Sequence, residues 1–268
     1  MKFSYHWLKE LAHFKDSPEE LADFLTLRAF EVEETEKVGN DTALDVKAKA
    51  FPNRIADAGG HLGLAREIAL LKKLKMKNQK LRIKEDKKEK SSSLLKIKVE
   101  NPTDCPRYTA RMMTGVAVKP SPDWIREKLE TCGLQSINNI VDAANYVMLE
   151  TGQPLHVFDF DSLKSAAART KTIIVRRAGL GEKIAALDQQ TYELNPEVLV
   201  IADEKEPLAI AGIKGGMRSG ISQSTTTLIL ESANFDQTRI RIASQQLNLR
   251  TDASLRYEHG MDPNHTED

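Results

Sequence analysis

The sequence predicts an α+β protein in which a small amino-terminal α+β module precedes a strand-rich domain with a few packed helices. Apolar residues in the first part of the chain follow helical spacing, whereas from Leu94 onward they alternate with polar residues as in half-buried strands. Between these parts, residues 84–93 (KEDKKEKSSS) contain no apolar residue and are typical of a linker. We therefore place the module at 1–83 and the second domain at 94–255.

Two serines mark the first helices of the amino-terminal module. Ser4 can cap a helix whose apolar residues are spaced for burial. The segment 17–20 (SPEE) has the pattern of a capping box, with serine at the N-cap, proline at the first position and glutamate at the third. The remaining elements predicted here are strands at 30–38 and 44–48 and a helix at 62–74.

The second domain is predicted to contain more strands than helices. Leu95, Ile97 and Val99 alternate with charged residues, as expected for a strand with one buried face. Further strands are predicted at 108–118, 173–177, 198–201, 208–210 and 226–231, and helices at 121–133, 138–150 and 236–247.

Charge is balanced over the 268 residues, with 39 Lys and Arg against 39 Asp and Glu. No overall basic field therefore indicates nucleic-acid binding. Residues 71–100 are locally basic, with 12 Lys and Arg against 4 Asp and Glu. Such a run is typical of a solvated helix and linker, and a direct contact with nucleic acid is the alternative.

The two cysteines do not form a CxxC pair, which argues against a disulfide framework or a thiolate metal site. The amino terminus carries no apolar signal segment, and no apolar run approaches the length of a membrane span. The six histidines are scattered and no GxSxG occurs, so neither a metal nor a serine nucleophile is expected. We expect a cytoplasmic protein.

Residues 138–159 (NNIVDAANYVMLETGQPLHVFD) carry the strongest indication of a functional site. Their apolar residues follow the spacing of a buried helical stripe, and Asn138, Asp142 and Asn145 fall on a second face of that helix. A glycine and a proline then end the helix, and the turn is predicted to bring His156 beside the polar face. These groups can position a polar ligand and a water. A solvated helix face with a core histidine is the plainer alternative.

Seven separated segments of the chain carry motifs. They are MKFSYHWLKEL, PNRIADAGGHLGLAREIALL, CPRYTAR, the helix at 138–150, LVIADEKEPLAIAGIKGG, LILESANFD and LRTDASLRYEHGMDP. In this order they resemble the beta subunit of bacterial phenylalanyl-tRNA synthetase, and the ordered set is far more specific than one glycine pattern. The resemblance implies that 94–255 is a layered, β-sandwich-like editing domain, and that 256–268 begins the next domain.

The editing activity implied by the resemblance is hydrolysis of tyrosine wrongly esterified to tRNA(Phe). A pocket for phenylalanine cannot fully exclude tyrosine, so a second site must recognise the extra hydroxyl group. Glu231 is similar to the glutamate that binds this hydroxyl in the family, although a lone glutamate at a strand end is more often a surface charge. His156 and Asn145 are similar to the family's catalytic histidine and its partner asparagine. Whether the histidine acts as a base or only orients water stays open.

The resemblance also implies a substrate-binding wall. Gly212 and Gly215 in AIAGIKGG are carried over as pocket residues, although such glycines more often form a tight turn. Thr251 and Ala253 resemble two further pocket residues. Ala144 is a departure, because the family usually has threonine beside the asparagine, and one hydroxyl contact with the substrate is then missing.

The partners implied are tRNA(Phe) and the synthetase alpha subunit. No cofactor is expected for editing, and ATP and Mg are expected only for the full alpha/beta enzyme. The family's OB-fold tRNA-binding insertion is missing after Val38, and the sequence stops just after GMDP. We therefore expect a fragment or a minimal relative that does not aminoacylate alone. The alternatives are a non-catalytic module that binds tRNA or the alpha subunit, and a deacylase of other aminoacyl-tRNAs.

Overall fold

The computed structural model describes residues 1–47, 52–76, 90–166 and 170–267. Helices and several small sheets alternate through these ranges, which confirms the predicted α+β class. The chain divides into two compact units. Unit 1 consists of Met1–Arg82 and Pro120–Gln153, and unit 2 consists of Ile83–Lys119 and Pro154–Asp268. None of the helices in the described ranges has the length and apolar character needed to cross a bilayer.

Unit 1 combines one three-stranded antiparallel sheet, in the order β1-β3-β2, with helices. The two predicted caps are confirmed: the Ser4 hydroxyl accepts a hydrogen bond from the Trp7 amide at 3.0 Å, and Ser17 and Glu20 form the capping box. The strands are β1 (Lys2–Ser4), β2 (Val32–Val38) and β3 (Asp41–Val46). The helices are α1 (Tyr5–Ala12), α2 (Pro18–Arg28), α3 (Ile55–Ala58), α4 (His61–Lys72), α5 (Asp123–Thr131) and α6 (Asn139–Thr151).

Helices α5 and α6 pack with unit 1, although the sequence places them inside the predicted domain at 94–255. Ile125, Leu129 and Leu149 belong to the same buried core as the residues of α1, α2 and α4. The buried imidazole of His61 hydrogen-bonds through Nδ1 to the carbonyl oxygen of Leu149 at 2.7 Å. The compact units therefore differ from the predicted consecutive domains. Most of the predicted linker at 84–93 lies outside the described residues.

The polar face of α6 is occupied mainly by structural contacts. Asn138 is the N-cap, and its side chain accepts hydrogen bonds from two backbone amides at 3.0 Å. Asp142 is fully buried and accepts hydrogen bonds from the Ser121 and Ser136 hydroxyls and, at 2.9 Å, from the Ile137 amide. Two of the three polar residues predicted on this face are therefore neither solvated nor free to bind a ligand, because they are buried and hold the helix start in place.

Unit 2 contains two main sheets. The first has the order β12-β11-β10-β7-β4 and is antiparallel except for the parallel pair β4 and β7. The second is antiparallel with the order β5-β13-β6. Strands β8 and β9 form a small hairpin. The bounds are β4 (Leu95–Val99), β5 (Arg107–Thr114), β6 (Leu155–Asp159), β7 (Lys171–Arg177), β8 (Lys183–Ala185), β9 (Thr191–Glu193), β10 (Leu199–Ala202), β11 (Pro207–Ile210), β12 (Lys214–Gly215) and β13 (Thr227–Asn234), followed by α7 (Gln237–Gln246) and α8 (Asp252–Tyr257).

Strand β6 corrects the prediction for His156. The sequence places this residue on a turn after the helix, but the structure places it on a strand at the edge of the second sheet. Gly152, with φ of +89°, ends α6, and β6 begins three residues later. The register then sets His156 directly opposite Glu231.

Candidate functional site

Glu231 lies in the middle of β13, the central strand of the second sheet. Its direct neighbours are Ala110 on β5 and His156 on β6. Only 4% of the residue is exposed, so the prediction of a buried carboxyl group is confirmed and the surface-charge alternative is wrong. A glutamate is rarely so buried without a charged partner, and such buried titratable groups are typical of functional sites.

The Glu231 carboxyl group is held by a neutral donor. The Tyr108 hydroxyl donates a hydrogen bond to Glu231 Oε2 at 2.8 Å. Burial raises the pKa of Glu231 from 4.5 to about 8, and the hydrogen bond from Tyr108 opposes this increase. Burial, together with the nearby Glu231, raises the pKa of Tyr108 well above 10. The tyrosine therefore remains a donor at neutral pH.

His156 is a neutral imidazole at physiological pH. Burial lowers its pKa from 6.5 to about 4. Its Nε2 atom is buried without a hydrogen-bond partner among the described residues, and its ring meets Phe158 edge-on with centroids 4.5 Å apart. A buried ring nitrogen with no partner is available to bind a water or a polar ligand atom.

A cavity of about 70 Å³ joins these groups within unit 2. Five of the eight predicted site residues line it: His156, Gly212, Gly215, Glu231 and Ala253. The other lining residues are Pro154, Leu155, Ile201, Ala209, Ile210, Ile213, Lys214 and Tyr257. Since Ile201 and Ala209 belong to the first sheet and Glu231 to the second, the cavity lies between the two sheets of this unit.

The two pocket glycines serve different purposes. A Cβ atom on Gly215 would lie 2.5 Å from His156 Cε1 and 3.0 Å from His156 Nε2, so the missing side chain is what admits the imidazole. Gly212 has φ of +66°, and a Cβ there would meet core side chains such as Ile240 at 2.9 Å. Gly212 therefore lines the cavity with its backbone and packs against the core on its other side.

Thr251 supports the cavity without lining it. Its hydroxyl caps α8 by accepting a hydrogen bond from the Ser254 amide at 3.1 Å, and it donates one to the Ile213 carbonyl at 3.0 Å. The hydroxyl thereby ties α8, which carries the lining residue Ala253, to the turn that carries Ile213. Thr251 contributes to the site through this connection.

Asn145 and Ala144 do not line the cavity, and both belong to unit 1. Ala144 is buried in α6, whereas Asn145 is half-buried and its side chain makes no hydrogen bond with the described residues. The predicted partnership of Asn145 with His156 stays a prediction.

The sequence analysis missed three residues of this region. Tyr108 holds Glu231, Tyr257 lines the cavity, and Lys214 lies at its wall. Each falls within a quoted motif, but a motif does not distinguish a core tyrosine from a site tyrosine. Tyr257 is 2% exposed, and its hydroxyl donates to the Ala233 carbonyl at 3.0 Å.

The site is a partly apolar cavity with two neutral polar groups on adjacent strands and the Lys214 side chain at its wall. Between pH 4 and pH 8, the pKa values of His156 and Glu231 leave both groups neutral. The volume of the cavity suits several waters, and it is smaller than the roughly 150 Å³ of an engineered cavity that binds benzene. Across the described ranges, no three or more His, Cys, Asp or Glu side chains are grouped to hold a metal ion.

Comparison with known proteins identifies the family of this chain. The family model described as "B3/4 domain" matches residues 104–268, which is more than half of the sequence. The chain therefore belongs to the B3/4 domain family. The similarity to phenylalanyl-tRNA synthetase beta subunits that the motifs predict is confirmed by the individual relatives.

The phenylalanine–tRNA ligase beta subunit of Rhodopirellula baltica is 38% identical over 263 residues, covering 98% of this chain and 37% of the relative. The beta subunit of Moorella thermoacetica is 44% identical over 210 residues, covering 78% and 25%. This chain thus spans well under half the length of the curated relatives that it matches. An N-terminal fragment of the Pyrococcus horikoshii phenylalanyl-tRNA synthetase beta subunit aligns with a TM-score of 0.47 and 15% identity, over 92% of this chain and 73% of the fragment.

Proposed function

We propose that the cavity of unit 2 is an editing site that hydrolyses tyrosine from mischarged tRNA(Phe). The proposal rests mainly on one observation: Glu231 and His156 face each other across β13 and β6 and line the same cavity. The first group is suited to recognising a phenol and the second to positioning a water. The names of the relatives support the choice of tRNA(Phe) as the nucleic acid and of the synthetase alpha subunit as a partner.

Recognition of the phenol follows from the burial of Glu231. A buried carboxyl group costs free energy unless it has hydrogen-bond partners, and a tyrosine ring supplies one through its hydroxyl. A phenylalanine ring in the same place covers the carboxyl group and supplies no donor. The difference is worth about 1–3 kcal/mol for an unsatisfied buried group, or roughly five- to 150-fold in selectivity.

Hydrolysis requires water to attack the ester carbonyl carbon. The new bond from the water oxygen replaces the bond to the ribose oxygen, and the ribose oxygen leaves with a proton that the water gives up. Free tyrosine and uncharged tRNA are the products. With a pKa of about 4, His156 is a weak base at neutral pH, so its proposed role is to orient the water. No cofactor takes part in these steps.

Ring entry is proposed to involve Lys214. Its side chain lies at the cavity wall, is 27% exposed and pairs with Asp188 at 3.5 Å. A long lysine side chain with a weak surface ion pair moves at little cost, and its displacement enlarges the cavity. Asn145 and Ala144 are proposed to contact the substrate as the family resemblance implies, with Ala144 supplying no hydroxyl.

The test is deacylation of tyrosyl-tRNA(Phe) and phenylalanyl-tRNA(Phe) by the purified chain, with and without the alpha subunit. Glu231→Gln keeps the shape of the side chain but cannot become a carboxylate. Glu193→Gln is the control, because the Glu193 side chain is 68% exposed on the β8–β9 hairpin. Selective loss of the tyrosyl ester that disappears in Glu231→Gln and persists in Glu193→Gln supports the proposal.

The second candidate is a non-catalytic module that binds tRNA or the alpha subunit. The small volume of the cavity and the assignment of Asn145 to unit 1 favour it. The short ester 3′-O-tyrosyl-adenosine separates the two candidates, because it enters without correct positioning of tRNA. If this ester and both charged tRNAs stay intact, even with the alpha subunit present, the editing proposal is wrong and the structural role stands.

A further inference from the structure

Tyr108 lies on the strand next to Glu231 and is not part of the cavity lining. On β5, Tyr108 pairs with Ala233, which lies two residues beyond Glu231 on β13. Tyr108 is therefore a diagonal neighbour of Glu231 on the same face of the sheet, within reach of a long aromatic side chain. Glu231 lines the cavity, whereas Tyr108 does not. The hydrogen bond of 2.8 Å thus anchors the carboxyl group through a residue outside the lining.

The anchor occupies one carboxyl oxygen and leaves the other available. Tyr108 donates to Oε2, and among the described residues no side chain donates to Oε1. A carboxyl group keeps acceptor capacity on its oxygens in the neutral and in the ionised form, so a bound phenol does not need to displace Tyr108. The hydroxyl of Tyr257, the other tyrosine close by, is already donated to the Ala233 carbonyl.

We propose that Tyr108 is a positioning residue that fixes the Glu231 carboxyl group and presents Oε1 to the hydroxyl of a para-hydroxylated aromatic ligand. This inference rests on the proposed function, since it assigns Glu231 to phenol recognition. Selectivity for tyrosyl over phenylalanyl esters then depends on two residues. Glu231 accepts the hydrogen bond from the ligand, and Tyr108 keeps the acceptor in place and favours its ionised form.

The surroundings of Glu231 make Tyr108 the decisive neighbour. The titratable groups around the carboxyl group are Tyr108 and Cys105 from the β5 side, His156 from β6, and Tyr257 and Lys214 from the rest of the cavity lining. Burial and the nearby Glu231 raise the pKa of Cys105 to about 12, and His156 is neutral above pH 4, so neither carries charge at pH 7. Tyr108 is the one group that lowers the pKa of Glu231.

The experiment compares Tyr108→Phe, which keeps the ring and removes the hydroxyl, with Tyr5→Phe. The control removes another tyrosine hydroxyl hydrogen bond, from Tyr5 to the Asp16 carbonyl in unit 1, outside the cavity lining. Tyr108→Phe is expected to lower the ratio of kcat/KM for tyrosyl over phenylalanyl esters about fivefold, the usual worth of a hydrogen bond. Tyr5→Phe is expected to leave this ratio within twofold.

Two further measurements separate positioning from a general structural effect. In the Glu231→Gln background, Tyr108→Phe should not change the ratio further, because the group that it positions is already altered. The 13C resonance of the Glu231 carboxyl carbon should titrate at higher pH in Tyr108→Phe than in the unmodified chain. An unchanged ratio, or an unchanged titration midpoint, overturns the inference.

Failure of the inference and failure of the proposed function give different results. If the unmodified chain hydrolyses neither ester, the proposed function fails, while the carboxyl titration still tests the coupling of Tyr108 to Glu231. If hydrolysis is selective but unaffected by Tyr108→Phe, only the inference fails. Should Tyr108→Phe not fold, 3-fluorotyrosine at position 108 alters the donor strength with the ring and hydroxyl retained. An unchanged titration midpoint with this residue also overturns the inference.

Discussion

At the scale of single residues, Glu231 and His156 are a glutamate and a histidine that burial keeps uncharged. The pKa of Glu231 is raised to about 8 and that of His156 is lowered to about 4, and burial is the leading cause in both cases. The two groups are direct cross-strand neighbours, yet they do not form an ion pair. Their effects on stability therefore have opposite dependences on pH, in ranges that overlap between about pH 4.5 and 6.5.

Replacing Glu231 by Gln should remove a loss of stability that develops as pH rises from about 4.5 to 8. In the unfolded chain the glutamate ionises near 4.5, whereas in the folded chain it keeps its proton to about pH 8. As pH rises between these values, the folded state binds more protons than the unfolded state, so the free energy of unfolding falls. At about 1.4 kcal/mol per pH unit, the full loss is on the order of 5 kcal/mol.

Urea unfolding of the unmodified chain and of Glu231→Gln, from pH 5 to pH 8.5, measures this difference. The two curves should diverge as pH rises, with the glutamine variant becoming the more stable. Glu193→Gln, at an exposed position, should follow the unmodified chain throughout. Parallel curves for Glu231→Gln and the unmodified chain contradict the prediction.

His156 should produce the opposite dependence at acid pH. Its pKa is lowered to about 4 in the folded state, while the unfolded histidine titrates near 6.5. As pH falls from 6.5 to 4, the unfolded state binds a proton that the folded state does not bind. The free energy of unfolding therefore decreases by roughly 3 kcal/mol. Unfolding of His156→Gln should lack this decrease, whereas substitution of the exposed His6 to Gln should retain it.

At the scale of secondary-structure elements, the longer helices and the strands of the large sheet could be predicted from the sequence. Capping serines and period-two alternation are local signals, and they locate α1, α2 and β4 correctly. Strand β6 was missed because a glycine and a proline precede it, and only pairing with β13 makes those five residues a strand. Helix α8 was missed because six residues are too few to show a helical period.

The short strand β12 carries the glycine that gives His156 its space. Gly215→Ala should push the imidazole away, since the new Cβ atom would lie 2.5 Å from His156 Cε1. We expect a stability cost of about 1–3 kcal/mol and at least tenfold slower hydrolysis of the tyrosyl ester. A crystal structure of the variant should contain a rotated or displaced His156 ring.

Gly179→Ala is the matched control for this substitution. A Cβ atom there comes no closer than 3.8 Å to another atom, and the residue lies outside the cavity lining. Its activity and stability should equal those of the unmodified chain. An alanine at position 215 that leaves both activity and the imidazole position intact contradicts the assigned role of Gly215.

At the scale of the whole molecule, the site could be predicted only in part. The residues of unit 2 that line the cavity were found through motifs, because several motif segments meet around one cavity. Asn145 was assigned to the site together with His156 through the family resemblance, and a motif match does not show that the boundary between the two compact units falls at Gln153. Nor could local patterns show that α5 and α6 complete the core of unit 1.

Leu129→Ala should test this contribution of α5 to unit 1. Leu129 is fully buried in the unit 1 core, so its truncation should cost about 2–5 kcal/mol. Both tryptophans of the chain, Trp7 and Trp124, belong to unit 1, so tryptophan fluorescence reports the unfolding of this unit. The fluorescence midpoint should fall in Leu129→Ala and stay unchanged in Leu180→Ala, where the leucine is 88% exposed. If the fluorescence midpoint of Leu129→Ala equals that of the unmodified chain, α5 does not belong to the cooperative unit.

The pairing of β6 with β13 also limits how this part of the gene can change in length. Successive residues of a strand point to opposite faces, so one residue inserted or deleted just before β6 would bring Leu155 or Val157 opposite Glu231 if the pairing slipped by one position. The imidazole would then leave the cavity face. Surface connections usually tolerate insertions and deletions, but a change in length that slips the register of β6 would not be tolerated in this way. Such a slip would remove the imidazole from the cavity face even if every residue of the site were kept.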